Sequence, residues 1–123
     1  MEYSFEKLMV YQTARKLVKK VYILLRRFPT EERYGLCDQL RRSIVSVPSN
    51  IAEQSGRTSI KEKVHFLEIA YGSLMEAYCQ LDLAFDLGYI TKEELAPIKN
   101  LFFDTSRLIF GLKKSLSNQT PNP

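Results

Sequence analysis

The stretch Glu62-Lys63-Val64-His65 spells Glu-x-x-His, the pair that di-iron bundles place on two helices facing one another. One copy supplies only part of such a centre, and His65 is the chain's single histidine. His65 also follows Val64 on an apolar row, which turns the imidazole toward a flank. Spacing suggests no Cys–His or Ser–His pair for nucleophilic chemistry, and the five glycines stand singly, so no phosphate-cradling loop is formed. These residues argue for no enzyme, no cofactor and no bound metal.

Charge is the stronger chemical signal. From Lys7 to Phe28 the chain carries Lys7, Arg15, Lys16, Lys19, Lys20, Arg26 and Arg27 and no acid. Residues 1–57 hold 11 Lys/Arg against 6 Asp/Glu, a balance of +5, whereas residues 58–123 hold 7 against 8, a balance of −1. At ~100° per residue, Arg15, Lys19 and Arg26 form one row and Lys16, Lys20 and Arg27 another, with Ile23 between them. A merely solvated face usually mixes signs, and a face of one sign attracts anions. Phosphate contacts from such rows would be salt-sensitive and indifferent to base sequence. Arg41, Arg42 and Arg57 are expected to add a second patch. No zinc pattern, recognition helix or RNA-stacking signature accompanies them. A membrane-surface helix is one rival, but its apolar side is needed by a core. The other is a protein-interaction scaffold whose charge serves solubility or an acidic partner.

Something must hold those cations in rows, and the apolar spacing supplies it. Steps of three and four mark Val10, Ala14, Leu17, Val21, Leu24, Phe28; then Cys37, Leu40, Ile44, Val47, Ile51; then Val64, Leu67, Tyr71, Leu74, Tyr78, Leu81, Phe85; then Leu95, Ile98, Phe102, Thr105, Ile109, Leu112, Leu116. Each lines one side of a helix. Pro29-Thr30, Gly56, Ser59 with Glu62, Gly88, and Thr91 with Glu94 punctuate the ends as caps. Connections of two to four residues then force antiparallel neighbours. The fold class is all-α, an antiparallel up-down-up-down four-helix bundle over residues 1–116, followed by a disordered tail at 117–123.

The 123 residues fit one domain. The longest apolar run, Val21 to Leu25, is far short of the ~20 residues that span a bilayer. The start lacks a basic-then-apolar segment, and both cysteines read as core residues, so the expected compartment is a reduced cytoplasm.

Pro48 falls inside the second helix and predicts a kink, because it cannot donate to the Ile44 carbonyl. Gln39, Arg42, Ser46, Asn50, Glu53 and Arg57 form a polar stripe there, with Ser49 at its edge and Pro48 in its middle. Ser46, Ser49 or Asn50 is expected to repair the freed carbonyl. In the fourth helix Pro97 is expected at a restart. Apolar residues also exceed one core: Tyr11, Val18, Tyr22 and Leu25 flank the first helix, and Phe103 and Phe110 lie off the fourth helix's row. Tyr11, Tyr22, Phe103 and Phe110 are therefore expected at an interface between copies. The row Ala70, Ser73, Ala77, Ala84 would admit a close neighbouring helix, within the bundle or from another subunit.

The stretches YGLCDQLRRSIVSVPSNIAEQSGR and FLEIAYGSLMEA resemble the four-helix-bundle proteins encoded in intervening sequences of bacterial 23S ribosomal RNA genes. The likeness runs from Phe5 through Leu116, with Gln54 standing where that family usually has glycine. The resemblance implies a closed homo-oligomer, a pentamer, with no assigned enzymatic activity. Accessory proteins of diversity-generating retroelements are related; they are basic pentamers that bind nucleic acid and a reverse transcriptase. By that analogy RNA or DNA, and a nucleic-acid enzyme such as a reverse transcriptase, are expected partners of this chain, and a membrane is not.

Overall fold

The computed structural model describes residues 2–119. Among the described residues there are four α-helices: α1 Met9–Leu25, α2 Leu36–Ser55, α3 Ile60–Asp86 and α4 Lys92–Ser117. Short 3-10 turns at Ser4–Lys7 and Thr30–Glu32 precede α1 and α2, and no strand occurs among the described residues. Both α1 and α3 pack on α2 and on α4, and not on each other, so they sit diagonally. This is the expected four-helix bundle.

The apolar rows of α1, α2 and α4 fill the core as their spacing predicts, from Val10 to Phe28, from Cys37 to Ile51 and from Leu95 to Leu116. Only Leu112 of these stays partly exposed. In α3 the buried line is rotated from the expected one. Leu67, Leu74 and Leu81 are buried as expected, but Ala70, Ala77 and Ala84 complete the line with no exposure at all. Val64, Tyr71 and Tyr78 move to its edge, and Phe85 is exposed. The alanine row therefore serves the bundle itself: small side chains let α2 approach α3 closely, and this is the most extensive helix pairing in the molecule. Polar pairs cross the same seam. The Ser73 hydroxyl donates to Ser46 Oγ at 2.8 Å, and the buried Ser43 hydroxyl donates to Gln80 Oε1 at 2.7 Å.

The connections differ from expectation at one end. Thr30 does not cap α2; it opens a 3-10 turn, and residues 26–35 separate α1 from α2. Pro29 stops α1, and the chain re-enters a helix only where Glu32 Oε1 accepts the Leu36 N–H at 3.2 Å. Gly35 makes room for that cap, since a Cβ there would stand 2.8 Å from Glu32 Oε1. The Tyr89 hydroxyl donates to Glu32 Oε2 at 2.8 Å, and Tyr89 packs on Phe28. Tyr89 first, and the Leu36 N–H second, hold the Glu32 carboxyl below the usual carboxylate range. The remaining loops are short. Ser59 Oγ accepts the Glu62 N–H at 3.1 Å, and Thr91 and Glu94 form a reciprocal capping box. Gly88 takes the left-handed φ of +81°, whereas Gly56 stays right-handed at −86°.

Neither proline interrupts its helix. α4 begins at Lys92 and runs through Pro97 without restarting; Pro97 is exposed there, where water can serve the carbonyl it leaves unmatched. α2 runs through Pro48 from Leu36 to Ser55. The side-chain bonds fall one and two residues past the carbonyl of Ile44: the Ser49 hydroxyl donates to Val45 O at 2.8 Å, and the Asn50 amide donates to Ser46 O at 2.8 Å. Pro48 is also buried rather than set in a solvated stripe. It lies four residues after Ile44 and one after Val47, on the edge of the apolar row. Of the tail expected at 117–123, Ser117 is still helical, Asn118 and Gln119 form a turn, and residues 120–123 lie outside the described residues.

Candidate nucleic-acid interface

With one side of α1 committed to the core, its cations are left on the outer side. Arg15, Lys16, Lys19, Lys20, Arg26 and Arg27 are all exposed, and Ile23 between the rows is 46% exposed. Arg27 pairs with Glu94 of α4. Among the described residues Arg15, Lys16, Lys19, Lys20 and Arg26 have no carboxylate within ion-pair reach, unlike Lys99 with Asp82 or Lys113 with Glu68. Five cations without an ion-pair partner thus share one helix face, and Glu2 and Glu6 of the N-terminal segment line the adjoining depression with Arg15, Lys16 and Lys19.

Beside that face, an open groove of about 400 Å³ follows the seam where α1 packs on α2. Val18, Val45, Pro48 and Ala52 form its apolar floor, and Arg15 and Lys19 stand on its rim. The 3-10 turn at Ser4–Lys7 closes one end, where the Phe5 ring meets Tyr11 edge-on at 4.9 Å. Tyr11 is therefore half-covered within the chain, and the Arg15 guanidinium lies 5.7 Å from the centre of its ring. Phe5 lies ahead of the first apolar row, so spacing gives no signal for its place here. Tyr22, farther along α1, is 40% exposed.

The second basic patch does not form as one surface. Arg42 pairs with Asp38 at 3.3 Å; Arg41 reaches the same carboxylate and donates to Arg33 O. Arg57 pairs with Glu53 and lies 4.6 Å from the Phe66 ring centre. Arg42 lies near the start of α2 and Arg57 just past its C-terminal cap, more than three helical turns away, and each is compensated locally. The polar stripe divides as well. Gln39, Arg42 and Glu53 are exposed, while Ser46, Asn50 and Arg57 are half-buried along the α3 side.

On the opposite edge of the bundle an aromatic seam follows α3 and α4. Phe103 and Phe110 are 59% and 49% exposed. Tyr71 meets Phe110 at 4.9 Å, and Tyr78 meets both Phe102 and Phe103. Lys99 lies over the Tyr78 ring at 5.5 Å. Burial alone would lower its pKa, but Asp82 and Tyr78 outweigh that and raise it. His65 is exposed on α3, and no group of three or more metal-capable side chains occurs among the described residues. Cys37 is buried, and burial pushes its thiol up. Cys79 is exposed, because the rotation of α3 carries it out of the core.

Fold and surface together define an all-helical four-helix bundle with one basic helix face and no helix long and apolar enough to cross a membrane among the described residues. The family model described as 23S rRNA-intervening sequence protein matches residues 6–111, and the chain belongs to that family. A protein of unknown function from the S23 ribosomal protein family of Bacteroides thetaiotaomicron VPI-5482, solved as a crystal structure, superposes with a TM-score of 0.78. It is 24% identical over 85% of this chain and 95% of that chain, a likeness that carries the fold alone. No curated protein matches this chain.

Proposed function

We propose that this protein is a non-enzymatic, homo-oligomeric bundle that associates with nucleic acid in the cytoplasm through the outer face of α1. The observation that carries this reading is the set Arg15, Lys16, Lys19, Lys20 and Arg26, exposed and without a carboxylate partner. Charge left uncompensated on one face is available to phosphates, and release of their counterions drives binding. Repetition of the face around a closed assembly multiplies weak contacts, since bound subunits hold the others at high effective concentration. The resemblance to the intervening-sequence family adds a pentamer as the assembly, and the analogy to retroelement accessory proteins adds a nucleic-acid enzyme, such as a reverse transcriptase, as a partner class. Binding to mixed-sequence RNA or DNA is expected to fall steeply between ~50 and ~200 mM salt. Changing Lys16, Lys19 and Lys20 together to Gln should flatten the log–log salt slope by about 2 to 3 and lower affinity at ~50 mM salt by roughly two to three orders of magnitude. Wild-type protein that binds neither polymer at low salt refutes the reading.

The seam of Phe103 and Phe110 favours a second reading, a protein-interaction scaffold with no nucleic-acid role. In the first reading that seam joins copies of the chain. Light scattering separates the two: Phe103→Asp with Phe110→Asp should lower the assembly's mass, with a loss of at least 2 kcal/mol of association if these are anchor residues. Unchanged mass leaves the seam to another protein.

A further inference from the structure

One short pattern occurs twice on α1, as Tyr11-Gln12-Thr13-Ala14-Arg15-Lys16 and as Tyr22-Ile23-Leu24-Leu25-Arg26-Arg27. Each tyrosine is followed four residues later by arginine and five later by a second cation. The copies are eleven residues apart, which is three helical turns to within ~20°. Both therefore face the same way, roughly 16 Å apart along the axis. Arg26 keeps right-handed helical angles although the α-helix ends at Leu25, so the second copy stays in register. Lys19 lies between the two copies on the same side. The stripe reads aromatic, cation, cation, aromatic, cation, and it runs beside the α1–α2 groove, whose lining includes no carboxylate, while Glu2 and Glu6 line the depression at its N-terminal end.

We infer that this stripe takes a single-stranded segment of RNA or DNA, with bases against Tyr11 and Tyr22 and phosphates at Arg15, Lys19 and Arg26. A single strand alternates flat apolar bases with anions, and the stripe alternates their two complements. A duplex offers phosphates and groove edges but no free base face, because its bases are stacked on one another. Tyr22, already 40% exposed, then contributes to one form of the ligand and not to the other. This rests on the nucleic-acid reading above and narrows it.

The test compares a labelled single strand of about a dozen nucleotides with the duplex of the same sequence at ~50 mM salt. The single strand is expected to bind more tightly. Tyr22→Ala should weaken its binding roughly five- to a hundredfold, with duplex affinity, helicity and assembly mass unchanged, and Tyr22→Phe should restore it. Because the chain has no tryptophan, Tyr22→Trp places a lone reporter on the stripe. Its emission should be quenched by the single strand and not by the duplex, a result that stands even if the alanine variant fails to fold. Equal binding of both forms, with Tyr22→Ala indifferent and the Lys16/Lys19/Lys20 change still effective, overturns the single-strand inference and spares the basic-face reading. Binding of neither form overturns both. A fall in assembly mass on Tyr22→Ala places Tyr22 between subunits and overturns its stacking role. So does polyglutamate that displaces the strand as well as an unlabelled oligonucleotide, since charge alone then suffices.

Discussion

Helix α2 meets its two neighbours in opposite ways. Toward α3 it presents Ser43, Ser46 and a buried apolar row to Ala70, Ser73, Ala77 and Gln80, and the seam is tight, with every buried side-chain polar atom partnered among the described residues. Toward α1 it presents Val45, Pro48 and Ala52, and a groove stays open with cations on its rim. Small residues occur on both sides of α2, so residue size alone does not decide closure. Closure comes where small residues on one helix meet small residues and hydroxyls on the other. Across the groove Ala52, Pro48 and Val45 meet Tyr11, Val18 and long cationic side chains, which cannot nest as closely. The closed seam holds the fold, and the open one leaves surface for a ligand.

Substitutions can break or sharpen that contrast. The largest effect is expected from Ala77→Leu, which overfills the closed seam where no space remains; chemical denaturation should show a loss of about 1–3 kcal/mol. Gln80→Leu removes the acceptor of the Ser43 hydroxyl. That hydroxyl can still donate to Leu40 O, so about 1 kcal/mol should be lost. Ser73→Ala should cost about half as much, because Ser46 Oγ keeps the Asn50 amide as a donor. Ala52→Leu, the matching test in the open groove, should shift stability by no more than ~0.5 kcal/mol while obstructing single-strand binding. Equal costs for Ala77→Leu and Ala52→Leu would erase the distinction.

The smallest effect concerns pH and the end of the bundle. Tyr89 and the Leu36 N–H hold the Glu32 carboxyl below its usual range. A lowered folded-state pKa gives stability that is present above the unfolded value, 4.5, and is lost as pH falls through the lower folded value. Glu32→Gln lacks this component. The stability difference between wild type and variant should therefore narrow as the solution is acidified from neutral to below 4.5. A constant difference would show that Glu32 acts through shape alone.

Much of the fold is legible in the spacing of apolar residues, and the errors have physical causes. In α3, Tyr71 and Tyr78 are larger and fit the same period as the leucines, so they outweigh Ala70, Ala77 and Ala84 in a hydropathy reading. Burial follows the alanines because only they allow α2 so close. Cys79 follows the same rotation outward. Thr30 has the right chemistry for a helix cap, but no local pattern reveals that Glu32 will cap Leu36 once Tyr89 arrives from a distant loop. Of the candidate site, the cation rows on α1 are where the projection puts them. Arg41, Arg42 and Arg57 keep their charges but are compensated by Asp38 and Glu53, acids close by on the same helix. The Tyr-x-x-x-Arg repeat is readable in the sequence, yet it gains meaning only beside a groove, and a groove is set by how side chains of two helices meet.

The unequal connections also lead us to expect an order of folding. α2 is joined to α3 by Gly56–Ser59 and α3 to α4 by Leu87–Thr91, while ten residues, 26–35, tether α1. Short closures and the most extensive pairing let α2 and α3 form early, since nearby segments lose least chain entropy on meeting. α1 is expected to dock afterwards, across the seam that holds the groove. In native-state hydrogen exchange its amides should open at lower free energy than those of α2 and α3. The helix that carries the cations is thus the one the rest of the molecule can most easily release.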